Sequence, residues 1–147
     1  MPGVGILRAV SRENVEIVRR GYDAYENSDF ETMLGEVLSE TIEVHPVPEL
    51  PDWKAYRGHE GFLEWLQIWF EPWEDYTWEV RDLVDGGGNV VLARHLDRAV
   101  RAGGTEVEND LWVVWRVRNG KVCQVSFFYR EREALDAAGL HRWPSPS

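Results

Sequence analysis

The sequence predicts an α+β domain in which helices come first and an antiparallel sheet follows. Two stretches carry the helices: apolar residues recur at helical spacing from Ser11 to about Asn27, and again from about His59 to Glu71. From Tyr76 onward the pattern becomes strands separated by the turn signals "DGGGN", "AGGT" and "RNGK". Helices followed by a meander place the helices on one face of a curved sheet.

Each element has a local reason. Ser11 is expected to cap the first helix, with Glu13 in its first turn and Val15, Val18, Tyr22 and Tyr25 on one stripe. "NSDFE" interrupts it, and Ser28 with Glu31 matches a capping box for a second helix carrying Phe30, Met33, Leu34, Val37 and Leu38. The strand "TIEVH" comes next, then a proline-rich loop, "PVPELPDW". In the third helix Glu60, Glu64, Gln67 and Glu71 form the single polar stripe, so burial over most of its circumference is expected. Pro72 ends it. After the four strands, "REREALDAAG" predicts a short C-terminal helix stopped at Gly139.

Composition bounds the function. The 147 residues suit one domain. Residues 1–10 read as an extension, 11–141 as the domain and 142–147 as a loose tail. Sixteen Lys and Arg against 26 Asp and Glu leave a net charge of −10, which repels nucleic acid and anionic membranes. The single cysteine, Cys123, excludes an intrachain disulfide and a multi-cysteine zinc site, and fits a reducing compartment. "MPGVGILRAV" is too short in apolar residues for a signal peptide, and no run approaches the ~18 apolar residues of a membrane span. A cytoplasmic location is expected. No ligand cluster for a metal is visible, and no cofactor motif: the glycine-rich turns precede no helix that could hold a phosphate.

Strand pairing follows from the pattern of faces, because a one-residue slip turns every side chain over. A three-residue turn at Arg118-Asn119-Gly120 would set Trp115 against Cys123, Val113 against Val125, Leu111 against Phe127 and Asn109 against Tyr129. That face is apolar until its far end, so this register is expected rather than a two-residue turn. The opposite face, with Trp112, Val114, Val122 and Phe128 among polar residues, is too apolar for open solvent, and a subunit interface is expected there. At the preceding hairpin, a three-residue Ala102-Gly103-Gly104 turn puts Val91, Ala93, His95, Asp97 and Ala99 inside and pairs Arg98 with Glu108 outside. A two-residue turn would oppose Asp97 and Asp110, a like-charge pair, and is disfavoured.

The stretches "ENVEIVRRGYDAYENSDFETML", "YRGHEGFLEW" and "VVWRVRNGKVCQVSFFYREREALDAAGL", spread over about residues 12 to 140, resemble the SnoaL-like group of the NTF2-like superfamily. The resemblance implies an NTF2-like cone: a curved antiparallel sheet closed by three N-terminal helices and a short C-terminal helix, with a pocket at its open end. It also implies a homodimer through the outer sheet face. Relatives include ketosteroid isomerases and polyketide cyclases, and fold alone does not choose between them. Ketosteroid isomerases keep an Asp-Pro base where this chain has His45-Pro46. Their oxyanion tyrosine would fall at about Gly21 and their protonated aspartate at about Val113, so steroid isomerisation of that type is not expected. The cyclases pair a histidine and an aspartate on adjacent strands; His95 and Asn109 stand there, and Asn cannot act as a base.

The candidate catalytic residues are therefore His45, His95 and Asp97. An imidazole titrates near neutral pH, and a carboxylate beside it fixes its tautomer and raises its basicity. His45 shares the face of Glu43, not that of Ile42 and Val44, so a bulge before Pro46 must turn it inward or it points elsewhere. Tyr22 and Tyr25 can donate to a developing oxyanion, though each also reads as a core aromatic with a polar edge. Asn109 and Tyr129 carry the same two readings. Trp65, Trp69 and Trp115 are expected between helix and sheet, with Phe127 on the same inner face, and Trp53 and Trp73 near the pocket mouth. The expected function is binding of a small hydrophobic or aromatic molecule, with cofactor-free acid–base chemistry of isomerase, cyclase or hydratase type. The rival expectations are a carrier without turnover and a subunit whose pocket its own tryptophans fill.

Overall fold

Helix α1 spans Pro2–Glu26 in the computed structural model, which describes residues 2–145. Proline is tolerated in a first helical turn, where no amide partner is needed, so the helix begins there and Ser11 lies inside it instead of capping it. Val18 and Ala24 are buried along its inner stripe, and Tyr22 and Tyr25 pack half-buried against the same core. The turn that ends α1 corrects the expected capping box by one residue. Ser28 takes a left-handed φ of 55°, and Asp29 is the cap: its carboxylate accepts from the Thr32 amide at 3.1 Å and the Thr32 hydroxyl at 2.7 Å. A short helix, α2 (Phe30–Thr32), widens into a π-turn over Met33–Val37 that buries Met33 and Val37.

Strand β1 covers Leu38–His45, with Ile42 and Val44 buried and Glu43 and His45 half-exposed on the other face. Two residues of β2 (Tyr56–Arg57) pair with it and lead into α3 (Gly58–Phe70). Phe62 and Trp65 are buried, whereas Leu63 and Ile68 are 42% and 39% exposed. One side of α3 covers the sheet and the other meets solvent, so burial around most of the helix is not observed. Gly61 is required for this packing, since a Cβ there would lie 2.9 Å from the Tyr56 carbonyl carbon.

The long strands are β3 (Trp73–Gly87), β4 (Val90–Arg101), β5 (Glu106–Arg118) and β6 (Lys121–Phe128), and α4 (Glu131–Ala138) follows. Among the described residues they form one six-stranded sheet in the order β2-β1-β6-β5-β4-β3, antiparallel except for the β1–β6 pair. The β4–β5 register is the expected one: His95 opposes Leu111, Asp97 opposes Asn109 and Arg98 opposes Glu108. The β5–β6 register is not. Asn119 and Gly120, at φ 52° and 78°, make a two-residue turn that pairs Val117 with Val122. Cys123 then bulges out, after which Trp115 opposes Val125 and Val113 opposes Phe127. The bulge reverses the face flip of the shorter turn. Leu111, Val113, Trp115, Val125 and Phe127 therefore do share the inner face, each two residues away from the partner expected.

The sheet carries apolar clusters on both sides. Inside, α1, α3 and the π-turn close the main core. Outside, Val90, Leu92 and Val114 pack with Ala134 of α4, joined by Trp112, Phe128, Leu140 and Trp143. Part of the face expected to be a subunit interface is thus covered by the chain's own C-terminal segment, and Trp143 of the expected loose tail belongs to that cover. Gly139 ends α4 in a left-handed turn, φ 74°, as its position predicts.

Replacing Gly61 by Ala should destabilise the fold by about 1–3 kcal/mol, because the new methyl meets fixed β2 backbone. Urea denaturation checks this; unchanged stability would contradict the packing of α3 on β2.

Candidate functional site

The inner face of β4 sets the site. His95 and Asp97, two residues apart on one strand, both project into the cone and are each only 6% exposed. His95 Nδ1 lies 2.9 Å from Asp97 Oδ1, and the Tyr76 hydroxyl of β3 donates to Asp97 Oδ2. On the other side of the ring, His95 Nε2 lies 2.9 Å from the Tyr22 hydroxyl of α1. The Trp115 indole N–H of β5 donates to that same oxygen at 3.2 Å.

One assignment of protons satisfies the whole chain. An ionised carboxylate only accepts, so His95 carries its proton on Nδ1. Nε2 then accepts from Tyr22, whose oxygen accepts from Trp115. Four elements thus meet in one line of hydrogen bonds, Trp115 to Tyr22 to His95 to Asp97 to Tyr76. The Tyr22 ring stands edge-on to both neighbours, with centroids 5.5 Å from His95 and 5.4 Å from Trp115.

Burial holds the Tyr22 hydroxyl well above the ordinary phenol range; the Trp115 bond pulls it down by less, and the Asp97 charge adds to the rise. Tyr76 is raised by burial and by the charge and hydrogen bond of Asp97. Tyr129 is raised by burial and by the charges of Asp97 and Glu49, and Tyr25 by burial. These phenols remain proton donors at neutral pH.

A cavity of about 80 Å³ lies against the chain, lined by Tyr22, Tyr25, Trp65, Trp69, Trp115 and Phe127 together with Tyr76, His95 and Asp97. Beside it an open groove of about 890 Å³ runs between α1 and β3. Tyr22, Tyr25, Phe70, Tyr76 and Trp78 line both, so these rings form the partition between groove and cavity. The Trp65 indole N–H is buried without a hydrogen-bond partner among the described residues.

Most of the expected residues converge, but not all. Tyr129 lies in an adjoining cleft with Trp65, Trp69 and Trp73. Asn109 opposes Asp97 but is exposed, outside the cavity lining. His45 does not reach the cone. It neighbours Ser126 on the outer face, bonds Glu43 Oε1 at 3.1 Å and stands edge-on to Trp53. Trp53 accordingly sits with it, 44% exposed, its indole donating to the Pro46 carbonyl. The irregularity in β1 falls between Leu38 and Glu43, so nothing at Pro46 turns the ring inward. Tyr76, Phe70 and Trp78 belong to the site and were not singled out from sequence. Trp78 opposes Asp97 and Tyr76 opposes Ala99. The alternation in "YTW" was the available signal, but it needs the β3–β4 register, which three irregularities in the pairing displace.

A helix-closed, curved six-stranded sheet with this inner cavity defines an NTF2-like protein. Solved structures agree. An NTF2-like protein of unknown function from Burkholderia pseudomallei superposes with a TM-score of 0.68 at 16% identity, covering 84% of this chain and 95% of its own. TerC, co-crystallised with polyporic acid, gives 0.69 at 17% identity, covering 86% and 98%. A candidate polyketide cyclase from Xanthomonas campestris gives 0.63 at 21% identity, covering 86% and 97%. The SnoaL-like domain family matches residues 18–125, and the chain belongs to that family. No curated protein matches it. Among the described residues, no helix is long and apolar enough to cross a membrane, and no three His, Cys, Asp or Glu side chains converge as a metal site requires.

The raised tyrosines fix a pH dependence. Both folded and unfolded chains hold these protons below about pH 10. Above it the unfolded state binds fewer protons than the folded one, so unfolding free energy falls as pH rises. Denaturation between pH 8 and 12 should show this fall, with a shallower slope for Tyr22→Phe and Tyr76→Phe; three equal slopes would contradict the buried phenol chain.

Proposed function

We propose that the protein binds a small hydrophobic or aromatic molecule in the cone and moves a proton on it without a cofactor, as an isomerase, cyclase or hydratase does. The observation that carries this is the buried Tyr22–His95–Asp97–Tyr76 chain facing an apolar cavity. Both imidazole nitrogens are engaged, so His95 acts through Tyr22. A ligand proton passes to the Tyr22 oxygen as the Tyr22 proton passes to His95 Nε2, and Asp97 balances the imidazolium formed. Tyr76 places its one proton on Asp97, so Tyr25, which lines the same cavity and is kept protonated by its burial, is the donor to an oxygen that gains charge. The unpartnered Trp65 N–H is a further donor that a ligand oxygen would satisfy. TerC, crystallised with polyporic acid, and the candidate polyketide cyclase are consistent with an organic ligand of this kind.

A second reading has its own support. The cavity of about 80 Å³ is well below the ~300–1,000 Å³ of most ligand pockets, and the ring nitrogens are already satisfied. On that reading the chain of hydrogen bonds braces a cone that binds without turnover, or that its own aromatic rings fill. Native mass spectrometry of the purified protein should reveal a retained small molecule. Turnover of that molecule should fall by about 10²-fold or more in His95→Ala and stay within about twofold in His45→Ala, which lies outside the cone. Equal turnover in wild type and His95→Ala would end the catalytic reading, and absence of any turnover would select the second.

We also propose a homodimer through the outer face at the border of the α4 cover, around the exposed Trp53 and the half-exposed rings of Trp112 and Phe128. Sedimentation at micromolar concentration should give twice the chain mass, and a monomer there would overturn it.

A further inference from the structure

A cleft of about 210 Å³ opens on the far side of Trp65 and Trp69 from the hydrogen-bonded chain. We infer that it is a binding site for an organic ammonium ion, lined by Trp65, Trp69, Trp73 and Tyr129 with the carboxylate of Glu49. The site is separate from the proton-transfer chain, and the inference stands whether or not the protein is an enzyme.

The argument starts from composition. Four of the residues around the cleft are aromatic, and Glu49 is the one charged residue in its lining among those described. Aromatic faces carry negative charge density and attract a cation placed within about 6 Å of the ring centre, most strongly for Trp. Phe127 and Trp69 both lie nearly parallel to Trp65, with centroids 4.7 Å and 6.1 Å away, so a ligand in the cleft would meet Trp69, Trp73 and Tyr129 before Trp65. Trp73 already holds a cation by its ring, since the Arg101 guanidinium lies 5.3 Å from its centre. Arg101 lies outside the lining, but its charge beside Trp73 opposes a second cation, and Glu49 is the group that offsets it.

The field in the cleft has the same sign. The charges of Asp97 and Glu49 both act on the Tyr129 hydroxyl, adding to the effect of its burial. The whole chain carries −10, which further raises the local concentration of cations over anions. The remaining lining, including Leu50, Ile68 and Pro72, is apolar. A bare metal cation keeps its hydration there and gains little. An alkylated ammonium offers methyl groups to the apolar lining and charge to the rings. A carboxylate ligand would meet Glu49 and the Asp97 field and be repelled.

Choline, its neutral carbon isostere 3,3-dimethylbutan-1-ol, and benzoate are the probes, titrated by calorimetry and tryptophan fluorescence. Choline should bind saturably, and the alcohol and benzoate more weakly by at least about tenfold, equivalent to ~1.4 kcal/mol. Glu49→Gln and Trp73→Leu should each weaken choline by at least about fivefold, and Tyr129→Phe, which keeps a ring face, should change it by less than about twofold. Glu49 is exposed, so its variant tests the site without disturbing the core. Equal binding of the alcohol or of benzoate, no saturable choline binding, or choline affinity unchanged in Glu49→Gln and Trp73→Leu would each overturn the inference.

Discussion

A carboxylate inside an apolar cone must have both of its oxygens taken up by donors, because an unpaired buried charge is far too costly to keep. Asp97 meets that demand through His95 and Tyr76, with no Lys or Arg paired to it among the described residues. The rest of the interior follows. His95 is held in one tautomer, so its far nitrogen needs a donor, and α1 supplies Tyr22. Tyr22 in turn needs a donor, and β5 supplies Trp115. The N-terminal helix is thereby tied to β4 by a polar chain as well as by the burial of Val18 and Ala24. The cavity lies where this chain meets the aromatic rings that close the cone.

How much of this the sequence disclosed depended on what kind of fact was sought. The His95–Asp97 face was legible because an alternative register would have opposed Asp97 to Asp110, and charge pairing discriminates between registers. The β5 and β6 faces were legible for a weaker reason. Hydrophobic alternation reports parity only, and a two-residue turn plus one bulge has the same parity as a three-residue turn. The partners were therefore misassigned while the faces were right. Tyr76 stayed hidden because its neighbours depend on three irregularities in β3, and a bulge leaves no mark on composition. His45 shows the converse. Its motif resembles a catalytic one, yet the strand's own alternation, with Ile42 and Val44 inward, already put the ring outside, and the structure follows the alternation.

The outer cluster explains a second feature of the sequence. Strands β4 and β5 are apolar on both faces near their middle, with Leu92 and Val114 buried on one side and Ala93 and Val113 on the other. Such strands lose the clean alternation of a half-solvated antiparallel sheet. The greasy outer face was read from sequence as an interface between subunits, and α4 with Trp143 supplies an intramolecular cover for part of it. The aromatic residues left at the border of that cover, Trp53 and Phe128 among them, lie beside the outward-facing His45.

The bulge at Cys123 has a consequence for how this hairpin tolerates change in length. Turn and bulge together place Val125 and Phe127 toward the cone, and the bulge is the one residue of the stretch that pairs with nothing. Losing one residue anywhere from Asn119 to Cys123 would therefore cost only the bulge. The two-residue turn would remain, Trp115 would still oppose Val125, and the inner face would be kept. A second loss would find no spare residue, and β6 would have to give up its turn or present Gln124, Ser126 and Phe128 to the interior.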